Sequence, residues 1–78
     1  MLTTLKPFGM KNSVKLKRTE KQLTQEALAA HLGVSRQTII SIESGRYIPS
    51  TMLTLKLAVF LDQKVEELFE LEPEDYQR

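Results

Sequence analysis

The sequence predicts an all-α domain of five short helices. Between residues 24 and 69, apolar residues recur three or four positions apart, which is the spacing of one face of a helix. Ser, Thr and Gly stand at the ends of these segments, where they are favoured as helix caps. No segment after residue 10 alternates convincingly between apolar and polar residues, as a half-buried strand does. The predicted organisation is an N-terminal extension of residues 1–9, a domain of residues 10–71 and an acidic tail of residues 72–78.

The N-terminal extension differs from the rest of the chain because it contains a proline and a glycine that prevent a continuous helix. Three interpretations stay open: a leader before an alternative start at Met10, a disordered arm, or a short strand used in dimerisation. We prefer the first. Ser13 is then expected to cap a first helix that runs to about Lys21.

The second and third helices are separated by a very short connection. Thr24 is expected to cap the second helix, and Gly33 to end it in the left-handed conformation that glycine tolerates. Val34 is expected to be buried in the connection. Ser35 is expected to cap the third helix, and Gly45 to end it. Two isoleucines three positions apart should anchor the third helix to the domain: Ile39 and Ile42.

The fourth and fifth helices follow a proline that blocks continuation of the third. Ser50 or Thr51 is expected to cap the fourth helix, which repeats apolar residues at helical spacing. Residues 65–69 (VEELF) predict a short fifth helix, with acids in its first turn and two apolar side chains turned inward. The tail beyond Leu71 is rich in acids and is expected to be frayed or disordered.

The composition limits the classes of function that the chain can have. A chain of 78 residues forms one domain, and the absence of cysteine removes disulfides and the common zinc sites and suits a reducing cytoplasm. No apolar run is long enough to span a membrane. The single histidine and the acids lack the spacing of a metal site, and we find no catalytic pair or cofactor motif, so we predict neither an enzyme nor a cofactor. Residues 1–61 carry nine Lys/Arg against three Asp/Glu, whereas residues 62–78 carry two against seven, which is compatible with a nucleic-acid face on the basic part.

The second and third helices carry the functional prediction. Two helices joined by a tight turn, the second with polar residues in its first turn, suit insertion of that second helix into the major groove of DNA. Arg bonds two acceptors of guanine, Gln does so with adenine, and Ser bonds either a base or a phosphate. A branched apolar side chain suits the methyl group of thymine. The residues on or near this outward face are Ser35, Arg36, Gln37, Ile40 and Ser41.

The run from Leu23 to Ser50 (LTQEALAAHLGVSRQTIISIESGRYIPS) resembles the lambda repressor/Cro-like helix-turn-helix family, also called XRE-like. The family pattern L-T-Q-x-x-L-A-x-x-L-G-V-S-x-x-T-I-x-x-I-E-x-G-x-x-x-P-S is matched almost throughout. The resemblance extends from about Met10 to Phe69. More narrowly, the chain is similar to short bacterial and archaeal regulators that consist of this domain and little else. The resemblance implies a five-helix DNA-binding domain that binds pseudo-palindromic double-stranded DNA as a homodimer.

The resemblance also implies roles for individual residues. The positions that match base-reading residues are Arg36, Gln37 and Ser41, with Ile40 as a further candidate. Gln25 matches a residue that contacts phosphate and supports the third helix, and Glu43 is expected to pair with Arg18 of the first helix. The DNA backbone is expected to meet the unpaired N–H groups of a helix start on one side and the loop after the third helix on the other. The predicted backbone contacts are Thr24, Gln25, Ser35, Ser44, Arg46 and Tyr47.

We favour a sequence-specific transcriptional regulator, acting as a dimeric repressor in the cytoplasm. One alternative is an antitoxin or another protein-interaction module that uses the same domain to regulate its own synthesis, with a protein partner that the sequence does not identify. Another is reuse of the fold after loss of DNA binding. We expect the dimer contact on the fourth and fifth helices, around Phe60, Leu61 and Phe69.

Overall fold

The computed structural model describes residues 10–77, and it contains the five predicted helices. A two-residue strand, β1 (Lys11–Asn12), comes before them, and a second, β2 (Phe69–Glu70), comes after them. A 3-10 helix over Pro73–Gln77 ends the described part. The three interpretations of residues 1–9 lie outside the described residues. The helices are α1 (Val14–Glu20), α2 (Gln25–Leu32), α3 (Arg36–Glu43), α4 (Thr51–Leu61) and α5 (Val65–Leu68).

The predicted caps explain where α2, α3 and α4 begin. The hydroxyls of Thr24, Ser35 and Ser50 each accept the backbone N–H three residues on, at 3.0, 3.1 and 3.1 Å. Each hydroxyl thereby satisfies one N–H that has no partner within the helix. Of the two candidates for the start of α4, Ser50 is therefore the cap. Gly33 ends α2 with φ +72°, as predicted, and Gly45 has φ +80° one residue beyond the C-cap Ser44.

The start of α1 differs in detail from the prediction. Ser13 holds the N-cap position, but its hydroxyl does not cap the helix and instead donates to the carbonyl of Glu67 at 3.0 Å. The side-chain oxygen of Asn12 accepts the N–H of Val14 at 3.1 Å. Asn12 therefore supplies the capping bond, while Ser13 ties the start of α1 to α5.

The two short strands were not predicted. They pair antiparallel, with Lys11 opposite Glu70 and Asn12 opposite Phe69. The expectation of a chain without strands after residue 10 is wrong at this point, because a two-residue pairing is too short to leave a periodic pattern in the sequence. The prediction of a frayed tail is also wrong for its described residues, since Pro73–Gln77 forms a 3-10 helix. The N–H of Glu72, just before this helix, donates to the carboxylate of Asp75 at 2.7 Å.

One apolar core unites all five helices. Val14 is fully buried and Leu16, two positions later on α1, is 54% exposed. Val34, predicted to be buried, is half-buried at the edge of this core. The core consists of Val14, Leu28, Ala29, Leu32, Ile39, Ile42, Leu53, Leu57, Ala58, Leu61, Leu68 and Phe69.

The predicted dimer contact needs correction. Leu61 is fully buried and Phe69 is only 9% exposed, so both belong to the core of one chain and are not offered to a second. Phe60 is half-buried and stacks on His31, with the ring centres 4.4 Å apart. The apolar side chains that α4 does expose are Met52, Leu55 and Val59.

Candidate nucleic-acid interface

The helix pair α2–α3 has the most extensive contact of any pair of helices in residues 10–77. The N–H of Val34 bonds to the carbonyl of Ala29 at 3.0 Å, which closes the turn around Gly33 as in a Schellman motif. Ile39 and Ile42 are fully buried and hold the inner face of α3. These contacts determine which side of α3 faces outward.

Arg36 lies at the start of α3 and is held by two residues of α2. Its Nε donates to the side-chain oxygen of Gln25 at 3.3 Å and lies 3.5 Å from a carboxylate oxygen of Glu26. The side chain of Arg36 is 56% exposed. The guanidinium is therefore oriented by α2 while it stays open to solvent.

A chain of polar contacts connects Arg36 to the interior. The amide nitrogen of Gln25 donates to Oε1 of Glu43 at 3.0 Å. Nε of Arg18 lies 2.6 Å from the other oxygen of Glu43, and the side chains of this pair are only 9% and 5% exposed. Arg18 also donates to the carbonyl of Leu23 at 2.7 Å. The predicted ion pair between α1 and α3 is thus confirmed, and its buried oxygens and N–H groups are hydrogen-bonded.

The other predicted base readers differ in exposure. Gln37 is exposed, and its amide nitrogen lies 3.5 Å from the hydroxyl of Ser41. Ile40 and Ser41 are half-buried. Together with Arg36 these residues form the outward surface of α3, which we call the reading face: Arg36, Gln37, Ile40 and Ser41.

The loop after α3 is closed onto the carbonyl of Ser41. This oxygen accepts the N–H of Arg46 at 2.9 Å, that of Tyr47 at 3.2 Å and the hydroxyl of Ser44 at 3.1 Å. Arg46 is exposed, and Tyr47 is 43% exposed. The loop therefore presents a cation and a phenol hydroxyl beside the C-terminal end of the reading face.

The helix starts of α2 and α3 flank the other end of the reading face. Thr24 and Ser35 use their hydroxyl oxygens as caps, and Ser35 also bonds the hydroxyl of Thr38 at 3.0 Å. The N–H groups of Gln25 and Glu26, in the first turn of α2, have no acceptor within the helix itself. The positive end of the helix dipole and these N–H groups suit a phosphate, whereas the carboxylate of Glu26 opposes one.

Two contributors were missed in the sequence. Asn12 donates from its side-chain amide to the carbonyl of Ile42 at 2.9 Å and so supports the end of α3 from a position thirty residues away. Glu26 of α2 places a carboxylate oxygen 3.5 Å from Nε of Arg36 on α3. Neither contact has a local signal, because each depends on how distant helices pack.

The described part of the chain shows neither a metal site nor a membrane-spanning helix. No three His, Asp or Glu side chains among residues 10–77 come together as a metal site would require. None of the helices there is both long and apolar enough to cross a membrane.

Comparison with known proteins agrees with this geometry. A helix-turn-helix family model matches residues 14–68. An HTH-type transcriptional regulator of Methanocaldococcus jannaschii is 52% identical over 66 residues, which cover 85% of this chain and 100% of the relative. The HTH-type transcriptional regulator YgzD of Bacillus subtilis is 44% identical, with the same coverage of both chains.

Among solved structures, the restriction-modification controller protein C.AhdI from Aeromonas hydrophila has a similar fold. The TM-score is 0.66 at 39% sequence identity, with 72% of this chain and 85% of that chain covered. The matched residues 14–68 contain all five helices and the whole reading face. The chain therefore belongs to the XRE-like helix-turn-helix family and is a transcriptional regulator with a helix-turn-helix DNA-binding domain, not an enzyme.

Proposed function

We propose that α3 lies in the major groove of double-stranded DNA and that its reading face recognises a specific operator. Arg36 reads guanine, Gln37 reads adenine, Ser41 bonds a base edge, and Ile40 contacts a thymine methyl. The observation that carries the proposal is the contact of Arg36 with Gln25, because α2 orients an exposed guanidinium at the start of α3. An arginine oriented before binding loses less side-chain freedom when it bonds a base.

The DNA backbone is contacted on both sides of the reading face. On one side, phosphate meets the start of α2 at Thr24 and Gln25, and the cap Ser35. On the other side, it meets the loop residues Ser44, Arg46 and Tyr47. Phosphate contacts of this kind set the position of a helix in the groove, whereas base contacts determine which sequence is bound.

The regulator acts as a homodimeric repressor in the cytoplasm, where it finds its DNA. Arg46 is the one cation among the proposed backbone contacts of a single copy, so one copy binds weakly at physiological salt. Two copies on a pseudo-palindromic site double the contacts. Residues 14–68 are taken up by the helix-turn-helix and its supporting helices, so occupation of a promoter is the simplest way for this domain to act.

The proposal is tested by comparing two arginines. DNA selected in vitro by the wild-type protein supplies the operator, and single-base variants of it supply the comparison. Arg36→Ala should cost about 1–3 kcal/mol of binding free energy on the operator and relax the preference at one base pair. Arg46→Ala should weaken binding to all sequences alike and lower the salt dependence by about one phosphate contact.

Titrations of the operator and its single-base variants measure the change in base preference. The same titrations at several salt concentrations measure the change in the number of phosphate contacts. A uniform loss on every sequence for Arg36→Ala would exclude base reading by this residue. A protein that selects no DNA sequence would overturn the proposal as a whole.

A further inference from the structure

Three helix ends meet around Asn12 and Ser13. The first N–H groups and the last carbonyls of a helix have no partner within the helix, so they must be satisfied from outside it. The backbone N–H of Ser13 donates to the carbonyl of Leu68 at 2.9 Å, and its hydroxyl donates to the carbonyl of Glu67 at 3.0 Å. Ser13 therefore serves the end of α5, which leaves the start of α1 and the end of α3 to Asn12.

Asn12 uses both halves of its side-chain amide. The oxygen accepts the N–H of Val14 at 3.1 Å, at the start of α1, and the nitrogen donates to the carbonyl of Ile42 at 2.9 Å, in the last turn of α3. The strand pairing with Phe69 fixes the backbone from which the side chain extends. An asparagine fits this place because its amide is an acceptor and a donor at once.

The carbonyl of Ile42 lies directly before the loop that we propose meets the DNA backbone. This oxygen also accepts the N–H of Gly45 at 3.0 Å, while the carbonyl of Ser41 accepts those of Arg46 and Tyr47. Two neighbouring carbonyls of α3 therefore hold the loop. Because Ile42 is fully buried, water cannot readily replace a donor that its carbonyl loses.

The two ends of α3 are held by different parts of the chain. Arg36, at the first end, is contacted by Gln25 and Glu26 of α2. The main chain of the last turn is contacted by Asn12, which precedes α1. The contact of Asn12 is therefore expected to act on the loop and not on the orientation of Arg36.

We infer that Asn12 is a positioning residue for DNA binding, which holds the last turn of α3 so that Arg46 meets its phosphate. The inference rests on the proposed function and identifies the residue that fixes its loop. Without the amide donor the loop is freer before binding and must be ordered on DNA, which weakens binding. Since phosphate contacts carry no sequence information, this loss is the same on every sequence.

The experiment compares Asn12→Ser with Ser13→Ala. A serine hydroxyl can accept the N–H two residues on, as asparagine does but more weakly, and it is too short to reach the carbonyl of Ile42. The substitution also adds no charge. Ser13→Ala is the matched control, because it removes one side-chain donor to a helix-end carbonyl at α5 instead of α3. Circular dichroism establishes that both variants are folded.

Fluorescence anisotropy with operator DNA measures the effect on binding. Asn12→Ser should weaken binding to the operator and to its single-base variants alike by about three- to tenfold, the effect of one hydrogen bond. Ser13→Ala should leave binding unchanged. In the Arg46→Ala background the effect of Asn12→Ser should fall to about twofold or less, because the two residues act through one contact. In the Arg36→Ala background it should persist in full.

NMR relaxation of the free protein measures the positioning itself. The order parameters of the Gly45, Arg46 and Tyr47 amides should fall in Asn12→Ser from about 0.85, the value of a rigid backbone, toward about 0.6, that of a flexible one. Those of Leu57 and Leu61 in α4 should not change. A general loss of stability would not produce this difference, because order parameters report motion within the folded state.

Failure of this inference is distinguishable from failure of the proposed function. Operator binding by Asn12→Ser as tight as that of the wild type, an undiminished loss in the Arg46→Ala background, or unchanged loop order parameters would each overturn the inference and leave the proposed function intact. A protein that selects no DNA, but whose loop order parameters fall in Asn12→Ser, would support the positioning of the loop by Asn12 and refute the proposed function.

Discussion

The outward faces of α3 and α4 differ more than their inward faces do. Inward, both helices bury branched aliphatic side chains in the same core: Ile39 and Ile42 from α3, and Leu53, Leu57 and Leu61 from α4. Outward, α3 presents Arg36 and Gln37, whereas α4 presents the apolar side chains Met52, Leu55 and Val59. Folding of one chain explains why the inward residues of both helices are apolar. It does not explain the choice of residues on either outward face. The outward faces are therefore the parts of the two helices that stay available for contact with another molecule.

The two faces also differ in how they are supported. The first residue of the reading face is connected through Gln25 to the buried pair of Arg18 and Glu43. The outward face of α4 consists of apolar side chains, which form no hydrogen bonds. A surface that reads polar base edges needs side chains held at fixed angles, whereas an apolar surface needs mainly shape and area.

The largest expected effect is on the free energy of unfolding, when the buried ion pair that supports α3 is removed. Arg18→Ala leaves Glu43 as a buried charge without its partner, so the free energy of unfolding should fall by about 3–5 kcal/mol. Urea denaturation at a concentration where the chain is monomeric measures the change. Lys15→Ala, at an exposed position on the same helix, is the control and should change stability by less than about 0.5 kcal/mol. A loss for Arg18→Ala no larger than that of the control would mean that the ion pair does not support α3.

An intermediate effect is expected at the two caps. Ser35→Ala and Ser50→Ala each remove the acceptor of one helix-start N–H, so each should lower the free energy of unfolding by about 1 kcal/mol. Only Ser35 lies at the proposed DNA surface. Fluorescence anisotropy with operator DNA, at protein concentrations where both variants are folded, should show weaker binding for Ser35→Ala alone. Equal loss of DNA binding in both variants would show that the effect comes from stability.

The smallest effect is expected at Glu26. Its ion pair with Arg36 joins two side chains that are 67% and 56% exposed, so Glu26→Gln should change the free energy of unfolding by less than about 1 kcal/mol. DNA binding should become tighter on all sequences, because a negative charge leaves the surface that faces phosphate. Anisotropy titrations on operator and unrelated DNA measure this change. Weaker binding on the operator alone would instead make Glu26 a positioning partner of Arg36.

Much of the fold was predictable because its signals are local. A hydroxyl that caps a helix lies three residues before the N–H it accepts, and Gly33 has no Cβ to oppose its positive φ. The boundaries of α2, α3 and α4 could therefore be derived from the sequence. The pair of Arg18 and Glu43 was expected from the family resemblance and not from spacing.

The buried side of α4, the strand pairing and the orientation of Arg36 were not predictable, because each depends on how distant parts of the chain pack. The helix α4 is apolar on both sides, so periodicity does not tell which side enters the core, and Leu61 was assigned to a surface that Val59 in fact occupies. The pairing of Asn12 with Phe69 joins short segments far apart in sequence, with no pattern in either. The orientation of Arg36 by Gln25 likewise exists only once α2 and α3 are packed.

The antiparallel pairing of β1 with β2 places Lys11 beside Glu70, so the entry and the exit of the helical domain are neighbours. A domain whose two connections leave side by side can be placed in a loop of another protein without stretching either partner. The pairing of the two short strands thus brings the chain segments on either side of the five helices to one place on the surface.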